Sequence, residues 1–299
     1  MDLEKIKEYG NLELLSRQLV EGFITGLHKS PYHGFSVEFA EHQLYNNGES
    51  TKYIDWKVFA KTDRLYTKRF EEETNLRCMI LLDRSSSMYY PSDTHAKFRF
   101  SVTADGALAY MLHKKRDAVG LCTFSDQIEE MTQVKSTGAH IHQLFVSLQQ
   151  RMNEPAQLKR TSVAQVIHEV AERIHRRSLI IIFSDMMENV QQQEELFSAL
   201  QHLKHNNHEV LLFHVYDRKT EVDFNFPERP TVFVDVETGE EAKAQPSQIR
   251  KYYQEQIKAQ FQELKVKAGN YKIDFIEVDS GQELDQILVP YLIKRKRMR

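Results

Sequence analysis

Two short apolar runs, each ending in a carboxylate, constrain this chain more than any other feature. Cys78-Met79-Ile80-Leu81-Leu82 runs into Asp83, and Leu179-Ile180-Ile181-Ile182-Phe183 runs into Ser184-Asp185. Apolar runs of this length, bounded by polar residues, read as strands buried on both faces. Strands of that kind belong to a parallel sheet covered by helices. In such open sheets ligands bind at the carboxyl ends of the strands, where the strand order reverses. Asp83, Ser85 and Ser87 follow the first run at two-residue spacing. Three oxygen-bearing side chains converging there suit a hard cation such as Mg²⁺. Taken alone, the triplet reads first as a polar loop whose Asp caps the next turn.

The rest of the chain fits that architecture. After Ala96, helical stripes alternate with strand-like runs: Phe98, Val102, Leu108, Met111 and Leu112; then Ala118–Phe124 and Gln127–Val134; then Ile141, Leu144, Phe145 and Leu148. Val163, Val166, Ile167, Val170 and Ile174 form another helix face, as do Leu196, Phe197, Leu200 and Leu203. Val210–Val215 and Tyr271–Val278 read as further strands, with a long helix over Ser247–Lys267 between them. Val232, Val234 and Val236 alternate before Glu237-Thr238-Gly239-Glu240, which predicts a β-hairpin excursion at about 220–245. Leu284–Leu292 predicts a final amphipathic helix that Pro290 should kink. The expected fold is α/β, a doubly wound and mainly parallel sheet flanked by helices over residues 76–299.

Residues 1–75 read differently. An amphipathic helix over Leu12–Leu27 precedes the turn-rich Lys29–Gly34, strand-like Ser36–Ala40 and His42–Tyr45, and the turn Asn46-Asn47-Gly48. Tyr53–Ala60 carries the only tryptophan in a short helix, and Leu65–Phe70 alternates like a strand. This small helix-plus-β accessory region is expected to pack on the main domain.

Composition excludes several classes of function. A net charge of −3 over 299 residues argues against a nucleic-acid-binding surface. Cys78 and Cys122, the only cysteines, both lie in apolar runs, which suits a reduced, cytoplasmic protein without disulfides. No apolar run approaches a membrane span and no signal peptide is visible, so direct membrane insertion is not expected. The basic end, Lys294-Arg295-Lys296-Arg297-Met298-Arg299, reads as a solvated helix terminus in preference to a contact for an acidic partner or lipid.

A third source of oxygen ligands should lie in a loop before a helix, and Arg160-Thr161-Ser162 occupies such a place. Thr161 or Ser162 could instead simply cap the helix that follows. With Asp83, Ser85, Ser87 and Asp185 in view, metal binding becomes the better account of Thr161.

In that order and on those elements, Asp83-x-Ser85-x-Ser87, Thr161 and Asp185 resemble the metal-ion-dependent adhesion site of von Willebrand factor A domains. That resemblance implies Mg²⁺, with Mn²⁺ or Ca²⁺ as alternatives, held by hydroxyls and one or both carboxylates directly or through water. It also implies an open position that takes a carboxylate from a partner. The likeness extends to the bacterial DUF58 family through His28–Gly34, Val37–Glu41, Tyr45-x-x-Gly48, Ile54-Asp55-Trp56-Lys57, Leu65–Glu73 and Asp235-x-Glu237-Thr238-Gly239. Glu49 stands where an Asp is usual and Lys52 where an Arg is usual; neither belongs to the metal set. Family members typically accompany MoxR-type AAA+ ATPases and are thought to act as adaptors in folding, metal loading or assembly of other complexes.

The function expected on this basis is a non-catalytic, Mg²⁺-dependent adaptor that clasps an acidic residue of a MoxR-like ATPase or its client. The enzymatic rival is a HAD-like phosphohydrolase with Asp83 as nucleophile, a chemistry that wants a second carboxylate two residues on. Ser85 stands there. A transition-metal site from His28, His33, His42, Glu38 and Glu41 matches no ligand template. Glu71-Glu72-Glu73 reads as a solvated edge, or else as an acidic ligand for another copy's metal, giving self-association.

Overall fold

A computed structural model of the chain describes residues 11–29, 42–44, 56–68, 76–155, 163–186, 190–236 and 239–297. The expected strand at Ser36–Ala40, the Asn46-Asn47-Gly48 turn, Glu71-Glu72-Glu73 and Thr161 lie outside the described residues. The chain forms two compact units, one of Met1–Phe23 with Leu76–Arg299, the other Ile24–Asn75. In the smaller unit, strand β1 (His42–Leu44) pairs antiparallel with β2 (Tyr66–Lys68), and helix α2 spans Trp56–Thr62.

The larger unit is built on a six-stranded sheet. Its strands are β3 (Arg77–Asp83), β4 (Ala118–Phe124), β5 (Ile128–Met131), β6 (Leu179–Ser184), β7 (Glu209–Tyr216) and β10 (Asp274–Asp279). They lie in the order β10-β7-β6-β3-β4-β5, and every pairing is parallel except β4 with β5. The sequence expectation of a mainly parallel α/β sheet is therefore met, with the antiparallel strand confined to one edge.

The helices of this unit are α3 (Ala96–Lys114), α4 (Gly138–Asn153), α5 (Val163–Arg173), α6 (Val190–His205), α7 (Pro246–Asn270) and α8 (Leu284–Arg297). Side chains alternate across a strand, so each strand feeds two cores. Met79, Leu81, Ile180, Ile182, Val210 and Leu212 pack with α5, α6 and α7 in one cluster. The alternate positions face the other way, where α3 lies against β3, β4 and β7 and Tyr291 of α8 meets Phe213 edge-on. Helix α8 continues through Pro290. The excursion is a hairpin of β8 (Thr231–Val234) and β9 (Glu241–Ala244).

Helix α1 (Leu12–Lys29) begins on the larger unit: the Leu12 amide donates to Gln149 Oε1 at 3.0 Å. The approach to α3 depends on Gly106, where a Cβ would fall 2.6 Å from Ser16 Oγ and 3.2 Å from Phe145 Cε1.

The connectivity creates one reversal of direction. The chain leaves β3 for β4 on one side and later adds β6, β7 and β10 on the other. The crevice between β3 and β6 is thus the switch point, where loops diverge and leave room for a ligand.

Candidate metal centre

Asp83 ends β3 and Ser184 ends β6, and because Leu82 pairs with Phe183 the two fall side by side. The Ser184 hydroxyl donates to Asp83 Oδ2 at 2.6 Å and accepts from the Met186 amide at 3.1 Å. Between those contacts the chain turns sharply, with Met186 at φ 50°. A left-handed methionine is uncommon and costs about 1–3 kcal/mol, a strain that collects at functional sites. Here it presents Asp185 beside Asp83.

The loop after β3 closes on itself. The Ser85 amide donates to Asp83 Oδ1 at 2.8 Å, and Ser86–Tyr89 form a 3-10 turn. That turn brings Ser85 Oγ and Ser87 Oγ to 3.0 Å. Arg84 is buried between Glu129 and Glu154 and not paired with Asp83, with the Glu154 contact at 2.6 Å and its Nε donating to Tyr89 at 3.3 Å. Removing one partner of a buried ion pair leaves the other charges uncompensated and costs about 3 kcal/mol or more. Arg84→Ala is therefore expected to lower unfolding free energy by about that amount in urea titrations.

Asp83, Ser85, Ser87 and Asp185 are all buried, as is Lys97 in the first turn of α3. Lys97 Nζ donates to Asp185 Oδ2 at 2.9 Å and to Glu221 Oε1 at 2.6 Å. Burial opposes its charge, but Asp185 and Glu221 outweigh burial and raise its pKa. Burial also raises Glu221, against the pull of Lys97. Among the described residues no basic side chain forms an ion pair with Asp83. Burial first, and then the neighbouring Asp185, push the Asp83 carboxyl up to about 7, despite hydrogen bonds from Ser184 and Ser85. His214 nearby is pushed down to about 4 by burial, so it adds no positive charge at neutral pH.

Two carboxylates thus share one ammonium while a third carboxyl, Asp83, stands beside Asp185 without an ion-pair partner among the described residues, and a divalent cation would complete the balance. The donor set fits Mg²⁺ in spacing as well as in charge. Neighbouring ligands of an octahedral Mg²⁺ at its usual bond length sit about 2.9 Å apart, and Ser85 Oγ and Ser87 Oγ, hydrogen-bonded to each other at 3.0 Å, are already near that separation. Among the described residues no three His, Cys, Asp or Glu side chains converge as ligands. The set here differs in kind, two carboxylates with hydroxyls.

Of the five positions expected from sequence, the fold brings Asp83, Ser85, Ser87 and Asp185 to the β3–β6 crevice, and Thr161 lies outside the described residues. Sequence reasoning passed over Ser184, Lys97, Arg84 and Glu221. Ser184 was signalled only by its place before Asp185. Lys97 begins a polar series, Lys97, Ser101 and Asp105, at helical spacing along a helix buried nearly all round.

The family model described as "Protein of unknown function DUF58" matches residues 41–263, more than half of the chain. The chain belongs to the DUF58 family. Uncharacterized protein Rv1480 of Mycobacterium tuberculosis is 23% identical over 229 residues, covering 76% of this chain and 69% of the relative. Uncharacterized protein Mb1516 of Mycobacterium bovis matches to the same extent. Among solved structures, the conserved hypothetical protein BatB from Bacteroides thetaiotaomicron aligns at a TM-score of 0.43 and 13% identity, over 75% of this chain and 100% of that one. An aerotolerance-related membrane protein from Bacteroides fragilis aligns at 0.41 and 15%, over 72% and 97%. Both are weak overall similarities. Among the described residues no helix is long and apolar enough to cross a membrane.

Proposed function

We propose that this DUF58 protein is a non-catalytic adaptor with a von Willebrand factor A-like domain, working in the cytoplasm. In this reading Asp83, Ser85, Ser87, Thr161 and Asp185 hold Mg²⁺, and the ion's open position receives an acidic side chain of a partner. The observation that carries it is the β3–β6 crevice, where two buried carboxyl groups and two serine hydroxyls meet with too little positive charge of their own. The serines matter to the distinction between holding and cutting. Neutral ligands leave the cation electron-poor and able to draw in a further carboxylate. A phosphohydrolase built on Asp83 would want an acid at position 85, and Ser85 is instead turned toward Ser87.

The partner class follows from the family resemblance: a MoxR-like AAA+ ATPase or its client. The deciding measurement is co-purification from native cells with Mg²⁺ or with EDTA, using wild type and Asp83→Ala. An AAA+ ATPase or its client captured by wild type in Mg²⁺, and lost both in EDTA and with the variant, is the expected result. Capture that ignores both changes would sink the metal clasp. Mg²⁺-dependent hydrolysis of a generic aryl phosphate, abolished by Asp83→Ala, would restore the enzymatic alternative.

A further inference from the structure

Lys97 is an unusual residue to bury completely, and its two partners belong to different parts of the fold. Asp185 follows β6 at the candidate metal centre. Glu221 lies in the π-helical turn Arg218–Val222 that leads to the hairpin. Both Glu221 oxygens are engaged, Oε1 by Lys97 and Oε2 by the Asp217 amide at 2.6 Å, so Glu221 links the ammonium to the turn's backbone. Asp217 in turn accepts from the Thr220 amide at 3.1 Å.

Beyond the turn the contacts continue to β8. Phe224 is buried, stacks on Phe233 at 5.4 Å and lies 4.4 Å from Tyr253. Phe226 meets Phe233 edge-on at 5.1 Å. From α7, Arg250 donates to the carbonyls of Phe224 and Phe226, and Gln254 to that of Asp223. Hydrogen bonds therefore link Asp185 through Lys97 and Glu221 to the turn, and three residues on the chain enters the aromatic cluster of Phe224 and Phe233. The neighbours of Phe233 along the strand, Val232 and Val234, are 46% and 54% exposed.

We propose that Lys97 is a positioning residue that acts as the internal counter-ion of Asp185 and couples metal binding to the hairpin through Glu221. This coupling rests on the metal reading above. With a dication held beside Asp185, Lys97 would be repelled from that side, and Glu221 is the partner that would remain. Metal binding thus shifts Lys97 toward Glu221, and the turn and Phe224 carry that shift to β8. The same reasoning makes the lysine a competitor for the ion, so that its charge lowers metal affinity. A ligand shifts such an equilibrium only through a difference in interaction between its two states, and the shared Asp185 supplies that difference.

The test uses the full chain with Mg²⁺ alone, read by calorimetry and by hydrogen exchange over residues 217–236. Wild type is expected to bind Mg²⁺ and to change exchange across that segment on binding. Glu221→Gln should still bind Mg²⁺ yet lose the remote change. Lys97→Met should bind Mg²⁺ at least about tenfold more tightly, the scale on which a nearby charge alters a buried site. Equal or weaker binding by Lys97→Met would overturn the counter-ion role. If Lys97→Met does not fold, Glu221→Gln decides alone: a remote exchange change as large as in wild type overturns the coupling. Mg²⁺ binding by wild type with no change at 217–236 overturns the coupling and leaves the metal reading intact. No Mg²⁺ binding by wild type overturns both.

Discussion

Asp83→Ala is expected to lower Mg²⁺ affinity by at least about a hundredfold, since even residues that only orient a metal's ligands are worth ten- to a hundredfold. The expectation comes from the double part Asp83 plays. It is a candidate ligand, and its two oxygens fix the Ser85 amide and the Ser184 hydroxyl, which set the loop and the turn into Asp185. The fold should survive, because the substitution has opposing effects on stability. It loses two buried hydrogen bonds, each worth about 1 kcal/mol, and it removes a carboxyl forced against Asp185. The measurement is thermal melting with and without Mg²⁺. A ligand at a hundred times its dissociation constant stabilises the native state by about 2.7 kcal/mol, so wild type should gain that increment in Mg²⁺ and a variant weakened a hundredfold or more should gain at most about 0.4 kcal/mol. An equal Mg²⁺-dependent gain in both proteins would remove Asp83 from the metal site.

Much of this was legible in the sequence because buried parallel strands write themselves as continuous apolar runs. Cys78–Leu82 and Leu179–Phe183 could be little else, and their terminal Asp83 and Asp185 marked the edge of the sheet where a ligand belongs. Strand order was not legible. That β6 returns beside β3, and so places Ser184 against Asp83, depends on packing between segments a hundred residues apart. Lys97 was hidden for a related reason. In a helix with a polar side a lysine is the most ordinary of residues, and only burial of α3 on all sides turns it into a counter-ion. Glu221 was hidden because the residues around it form a turn with no periodic signature, and its meaning comes from Lys97 in a different element. Arg84 sat in plain view between Asp83 and Ser85, but its role as the anchor of the loop required Glu129 and Glu154 to be brought to it.

The crowding of carboxyl groups also predicts how stability depends on pH. Without a cation, burial and the neighbouring Asp185 push the Asp83 carboxyl up from 3.8 to about 7. Between those values the native protein holds a proton that the unfolded chain has released. Stability in chelator should therefore be greatest at the acid end of that window and fall as pH rises toward 7. The limiting slope for one group is about 1.4 kcal/mol per pH unit, and the loss ends once pH passes the folded-state value. Other carboxylates titrate in the same range, so the informative quantity is the difference between wild type and Asp83→Asn, which keeps the size and an acceptor for Ser184 but carries no charge. That difference, from urea titrations in EDTA between pH 4 and 8, should turn against wild type as pH rises and level off above about 7. Saturating Mg²⁺ should abolish the fall for wild type alone, because the cation replaces the proton as the partner of Asp83. A difference that stays flat with pH would mean that Asp83 ionises freely and that the crevice is not short of positive charge.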